Sequence, residues 1–188
     1  SAMFERMLDA SPRASLHLNT PFDEARRRFR HRHLVFTGPI DDFFARRLGP
    51  LPYRSLRFEP ESFSAPQLAP RLPVAGKPGF WQPAVQVNYP DPAVPFTRIV
   101  EIKHATGQLT DATTIIREFP ADWSPGAEPF YPLPAPDALA LYRRYATLAR
   151  NEPHVTFLGR LATYRYCNMD QVTALALATA AKLVATLR

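Results

Sequence analysis

Four short runs in the middle of the chain alternate apolar with polar residues, and this pattern constrains the fold more than any other sequence feature. The runs are residues 55–58, 85–89, 98–104 and 113–119, and turns that contain Pro, Asp or Gly separate them. Alternation with a period of two is typical of half-buried strands. We therefore predict an antiparallel sheet with one polar side that faces solvent or a ligand.

Helical and strand-like patterns alternate on both sides of this sheet. A strand is predicted at 15–19, a helix at 21–30 and a buried strand at 34–37. After the sheet, we expect a helix capped by Asp137, a strand at 155–158 and a C-terminal helix from near Met169. The predicted fold class is α+β (mixed α/β), with a central antiparallel β-sheet, partial α/β elements beside it and a C-terminal helix. The segments 1–50, 51–135 and 136–188 follow these changes of pattern.

A proline-rich link joins the first two predicted strands. Six prolines punctuate residues 60–83. Because proline lacks a backbone N–H, we expect no regular structure there and predict a long surface loop.

Composition bounds the class of protein. The chain has 188 residues, of which 46% are apolar, which is enough for an ordered core. The net charge of +6 comes largely from an arginine- and histidine-rich run at 26–33. We interpret this run as a solvated face, because it lacks the interleaved aromatics of a nucleic-acid platform.

Several kinds of site are not supported. The single cysteine, Cys167, excludes an internal disulfide and suits a reducing cytoplasm. Only His31 and His33 among five histidines lie close together, inside the arginine-rich run, so no metal site is expected. No apolar run of membrane-spanning length and no signal peptide occur, so we expect a cytoplasmic protein. A serine-hydrolase elbow, a P-loop and a dinucleotide fingerprint are also missing.

Residues 159–170 join a predicted strand to the C-terminal helix and are rich in Arg and Tyr. Asn168 and Gln171 have the spacing of a capping-box variant, so the helix is expected to begin near Met169. A helix N-terminus carries about half a positive charge, which favours an anion or an electron-rich ring edge. Arg160 and Tyr166 lie in the same turn.

Other Arg and Tyr residues stand at the ends of predicted elements, namely Arg54, Arg98 and Tyr131. The guanidinium fork binds phosphate, and the Tyr hydroxyl adds a further donor. Together they would suit a pyrophosphate, although each alone could be a surface or packing group.

Six segments, in order, resemble the UDP-galactopyranose mutase family. They are 36–44, 53–56, 87–89, 94–104, 128–132 and 159–170. The resemblance implies interconversion of UDP-galactopyranose and UDP-galactofuranose, an isomerase reaction of galactofuranose biosynthesis. Reduced FAD is the family's nucleophile, so no protein residue is assigned as catalytic.

The resemblance also implies roles for individual residues. Substrate-binding positions are matched by Arg98, Tyr131, Tyr166 and Asn88. Positions near the flavin are matched by Arg54, Arg160, Met169 and Asp170. The segments 1–50 and 136–188 are then flavin-domain-like, and 51–135 is the substrate-side sheet.

The chain departs from the family in lacking its Gly-x-Gly-x-x-Gly unit and its helical substrate domain. We therefore expect a truncated, C-terminal portion of a mutase that does not retain FAD tightly and is inactive alone. The alternative is a non-catalytic module that binds a nucleotide sugar or docks onto a partner. Expected partners are UDP-galactose or UDP, a second copy of the chain, or the missing flavin-domain half; neither a membrane nor nucleic acid is expected.

Overall fold

A computed structural model describes residues 2–68 and 79–187, which form two compact units. The first unit, Ser1–Leu34, holds the helices α1 (Ala2–Asp9) and α2 (Phe22–Arg28). The predicted strand at 15–19 is wrong, because this run is irregular. An extended run gains its hydrogen bonds only from a neighbouring strand, and none pairs with it among the described residues.

The remaining elements are β1 (Leu34–Phe36), α3 (Ile40–Phe43), β2 (Tyr53–Phe63), α4 (Ala65–Leu68), β3 (Gln86–Asn88), β4 (Arg98–Glu101), α5 (Lys103–Thr106), β5 (Thr113–Asp122), β6 (Tyr131–Pro132), α6 (Pro136–Ala149), β7 (Val155–Phe157) and α7 (Met169–Leu187). Apart from Leu34, all of these residues lie in the second unit, Val35–Arg188.

The strands form two sheets. A five-stranded sheet has the order β3-β4-β5-β2-β6, and all its pairings are antiparallel. A separate two-stranded parallel sheet joins β1 to β7. The predicted fold class is therefore confirmed, whereas the division into three segments stays a prediction.

One face of the large sheet is buried over part of its area, and the other face is accessible. Tyr53, Ser55, Ile99 and Ile115 lie on the buried face, each less than a tenth exposed. The intervening residues of the same strands point the other way, because side chains alternate along a strand. The accessible face is polar over much of its area, as the alternating runs predict.

The proline-rich link begins later than predicted. The strand β2 continues through Pro60 to Phe63, and α4 follows it directly. The short strand β6 pairs only with the start of β2, so Pro60 lies where β2 forms the edge of the sheet and its missing N–H is tolerated. The rest of the predicted loop falls partly on residues 69–78, which lie outside the described residues.

Two other boundaries differ from the predictions. The run 98–104 is a strand only to Glu101, and the chain then forms α5, which ends at Gly107 with φ of 65°. Asp137 does not cap α6, since Ala135 is the N-cap and Pro136 occupies the first turn. Proline is well suited to that position because its N–H would be unpaired there anyway. Asp137 still lies favourably near the positive helix end.

A buried carboxylate organises the segment that leads into β2. Asp41 is fully buried and accepts hydrogen bonds from the Leu51 N–H at 3.0 Å and the Tyr53 hydroxyl at 2.7 Å. The Arg46 guanidinium approaches the same carboxylate at 4.0 Å. These contacts hold the turn after α3 against the first residue of β2.

Tyr164 ties the turn after β7 to two strands of the large sheet. Its hydroxyl lies 2.5 Å from the Pro52 carbonyl oxygen and 2.9 Å from that of Leu133. Its ring stacks on Tyr142 and meets Tyr53 edge to face. Burial, the largest cause, raises the pKa of Tyr164 to about 12, and the charge of Asp41 acts in the same direction. The chain therefore favours the neutral phenol at this position.

None of the helices in the described ranges combines the length and the apolar character that a bilayer crossing requires.

Replacing Asp41 with Ala should lower the free energy of unfolding by about 3 kcal/mol, because the Leu51 N–H and the Tyr53 hydroxyl would lose a buried acceptor. Urea unfolding followed by tryptophan fluorescence measures the change. Asp42→Ala is the matched control, since Asp42 also pairs with Arg46 but its side chain is 40% exposed. Equal losses in the two variants would contradict the role given to Asp41.

Stability should fall as the pH rises from the ordinary Tyr pKa of about 10 towards 12, because the unfolded state then loses the Tyr164 proton before the folded state does. Tyr164→Phe should be less stable than the parent chain at neutral pH by about 1–2 kcal/mol. The difference should shrink above pH ~10. Urea titrations across this range test the idea, and a constant difference would refute it.

Candidate functional site

The accessible face of the five-stranded sheet carries four of the residues predicted from the sequence. Asn88 of β3 pairs with Arg98 of β4, and Arg54 of β2 pairs with Tyr131 of β6. Directly paired residues point to the same face. Arg98 also pairs with Glu118, which pairs with Phe58, four residues after Arg54, so both pairs share one face.

A chain of polar contacts crosses β3, β4 and β5 on this face. The Gln86 amide donates to Asn88 Oδ1 at 3.2 Å, and Arg98 donates to Gln86 Oε1 at 3.3 Å. The Arg98 Nε atom lies 3.1 Å from the carboxylate of Glu118, whose side chain is only 14% exposed. These contacts hold the guanidinium in one orientation, while about a third of the Arg98 side chain stays accessible.

A second cluster lies beside β6. The rings of Tyr131 and Tyr166 are 6.0 Å apart. The Arg160 guanidinium lies 6.0 Å from the centre of the Tyr131 ring and 5.1 Å from that of Tyr166. Cation–π attraction favours this arrangement. Tyr166 is 59% exposed, so the cluster is open to a ligand.

The fold of the turn explains this second cluster. Gly159 has φ of 92°, which allows the chain to leave β7 sharply. Tyr164 has φ of 45°, an unusual value for a non-glycine residue, and its hydroxyl bonds to two strand-end carbonyls hold it there. Tyr166 follows by two residues and is thereby carried to Tyr131.

The start of α7 comes directly after this turn. The Asn168 N–H donates to Gln171 Oε1 at 2.9 Å, which is one half of the predicted capping box. Met169 and Asp170 are the first two residues of α7, and both are exposed. Arg54 lies at the β6 end of the sheet and forms an ion pair with the exposed Asp122 at 3.2 Å.

The structure brings the predicted residues into two groups rather than one. The first group holds Asn88 and Arg98, and the second holds Tyr131, Arg160 and Tyr166. No hydrogen bond or ring contact joins Arg98 to Tyr131 among the described residues. Three strand spacings of about 4.8 Å separate them across the sheet, and four residues of about 3.3 Å separate them along it, so the two residues lie roughly 20 Å apart. One diphosphate cannot fill that gap alone. A longer ligand can contact both groups because they share a face.

Two residues of the site were missed in the sequence analysis. Glu118 and Gln86 both hold Arg98, yet neither was singled out. Their positions in the alternating runs could have identified them. Both side chains point to the same face as the other polar residues of their strands. Which strands lie next to Arg98, and in which register, cannot be read from that alternation.

Chemically, the face offers guanidinium and phenol donors to an anion. The described residues form no group of His, Cys, Asp and Glu side chains able to hold a metal ion. The arrangement of these donors is suited to binding an anion.

Comparison with known proteins gives a consistent result. The family model for UDP-galactopyranose mutase matches residues 1–166. A probable UDP-galactopyranose mutase of Klebsiella pneumoniae is 33% identical over 149 residues, covering 79% of this chain and 35% of that protein. The UDP-galactopyranose mutase of Mycoplasma pneumoniae is 35% identical over 158 residues, covering 80% and 36%.

A relative that is named for a different substrate also matches. The dTDP-fucopyranose mutase of Escherichia coli is 32% identical over 139 residues, covering 73% of this chain and 33% of that protein. The chain thus spans about a third of the length of these curated relatives. The family model covers most of the chain, so the chain belongs to the UDP-galactopyranose mutase family.

Proposed function

We propose that this chain provides the diphosphate-binding side of a nucleotide-sugar mutase site and that its ligand is UDP-galactose or UDP. The observation that supports the proposal is the shared face. Arg98 lies fixed within a polar chain, and Arg160 lies beside the rings of Tyr131 and Tyr166 at the other end. Arginine forks and phenol hydroxyls are suitable donors for a diphosphate, and a nucleotide sugar is long enough to extend from Arg98 towards the other end.

The ligand class follows from the relatives. Their names specify UDP-galactopyranose and dTDP-fucopyranose, which share a nucleoside diphosphate joined to a pyranose ring. The base and the sugar differ between the two, whereas the diphosphate does not. A site built on arginine therefore recognises the part that is common to both.

Reduced FAD is the proposed cofactor of the complete site, where it supplies the nucleophile of the family reaction. The residues that would hold it are Arg54, Arg160, Met169 and Asp170. They fit one edge of a flavin, because α7 begins at exposed residues and its N-terminal amides favour an electron-rich ring edge. The sequence contains no Gly-x-Gly-x-x-Gly cradle for the FAD diphosphate.

A second candidate function is that of a non-catalytic module that binds a nucleotide sugar through the same face or docks onto a partner. Docking also has support in α7. This helix has no buried residue, and Leu177 and Val184 are 69% and 54% exposed. We propose that a second copy or a flavin-binding segment covers this surface. We also propose that the protein acts in the cytoplasm.

Arg98→Ala should weaken UDP binding about 10- to 100-fold, because a charge-assisted bond to a phosphate contributes about 1.5–3 kcal/mol. Isothermal titration with UDP measures the affinity at fixed ionic strength. The matched control is Arg57→Ala, since Arg57 lies on the opposite face of β2 and pairs with Glu59. Equal effects of the two changes, or a parent chain that responds to UDP no more than to sulfate, would refute the proposed site.

The same chain should bind FAD only weakly, and Arg54→Ala should weaken that binding further. Quenching of flavin fluorescence on titration reports the affinity, with Arg57→Ala again as the control. Tight FAD binding that Arg54→Ala does not change would contradict the residues assigned to the flavin edge. UDP binding without any FAD binding would favour the non-catalytic module.

A further inference from the structure

The aromatic side chain of Phe58 has no role in the proposed function and lies between the two groups of the site. Phe58 of β2 pairs with Glu118 of β5, which in turn pairs with Arg98. Its ring therefore lies on the accessible face, one strand beyond the Arg98–Glu118 ion pair. Phe58 is 44% exposed, although it is one of the larger apolar residues of the sheet.

Phe58 also connects to the second group. Its ring meets that of Phe130 edge to face, with centroids 5.6 Å apart. The Phe130 ring lies 6.5 Å from Tyr131, which in turn contacts Tyr166. An aromatic strip thus runs across the accessible face from the Arg98–Glu118 pair to the tyrosine cluster.

The position of the strip restricts what can lie on it. In the proposed site, Arg98 contacts the diphosphate, and Arg54, at the β6 end, lies near the flavin. A nucleotide sugar whose diphosphate contacts Arg98 and that extends towards Arg54 would place its sugar in the interval between them. Phe58 occupies that interval on the same face, and the Phe130 ring lies against it.

We propose that the Phe58 ring, supported edge to face by Phe130, forms a stacking shelf for the pyranose ring of the nucleotide sugar. This inference rests on the proposed function and adds the contact that distinguishes the sugar nucleotide from the free nucleotide. One side of a galactose ring presents C–H groups, which pack well against an aromatic surface. Covering Phe58 also removes apolar area from water, which stabilises the complex.

The test compares UDP with UDP-galactose by isothermal titration on the full chain. Phe58→Leu should weaken UDP-galactose binding about three- to tenfold and leave UDP binding unchanged, because only the sugar loses its aromatic contact. Phe58→Tyr keeps the ring and should retain the affinity of the parent chain. The matched control is Phe63→Leu, because Phe63 is in the same strand, points to the other face and stacks on Trp81.

Phe130→Leu is the second variant, and it should show the same selective loss if the two rings act together. The proposal would be overturned if Phe58→Leu weakened the binding of UDP and of UDP-galactose equally. It would also be overturned if the affinity for neither ligand changed. If UDP binds and depends on Arg98 while Phe58→Leu has no effect, only the stacking shelf fails. If the parent chain does not bind UDP, the proposed function and the shelf fail together.

Discussion

The hydroxyl of Tyr164 lies within hydrogen-bonding distance of two carbonyl oxygens from segments far away in the sequence, and the layout of the site depends on it. Pro52 immediately precedes β2, and Leu133 immediately follows β6. The contacts hold the turn after β7 against the end of the sheet, in a backbone conformation that is otherwise unfavourable. Without this anchor, Tyr166 would not be held next to Tyr131, and α7 would not begin beside the sheet.

Arg98 is also held in place by a small number of polar contacts. A free arginine loses rotamer entropy when it binds a ligand, which reduces the affinity that its hydrogen bonds can provide. Here Glu118 and Gln86, which belong to the chain itself, restrict the guanidinium. The cost is that a phosphate must compete with the Glu118 carboxylate. The pair therefore favours a ligand whose charge and geometry match the guanidinium closely.

Much of the sheet could be predicted because its pattern is local. Alternation identifies strands at 55–58 and 113–119 without knowledge of the rest of the fold. The predicted strand at 15–19 has a similar pattern, but this run is irregular in the structure, because an extended run needs a neighbouring strand to pair with. Pro60 shows the opposite error, because a proline is tolerated in a strand wherever that side of the strand is an open edge. Both errors arise because pairing is a property of neighbours in space.

By itself, the sequence determined four of the five strands of the large sheet, the last helix and the identity of most residues that we assign to the site. It also placed the start of the last helix, through the Asn168–Gln171 spacing. Only the tertiary structure decided which strands are neighbours, and hence that Glu118 stands between Arg98 and Phe58. The alternation along a strand decides which of its side chains share a face. Register and strand order, in contrast, result from long-range packing that no local pattern encodes.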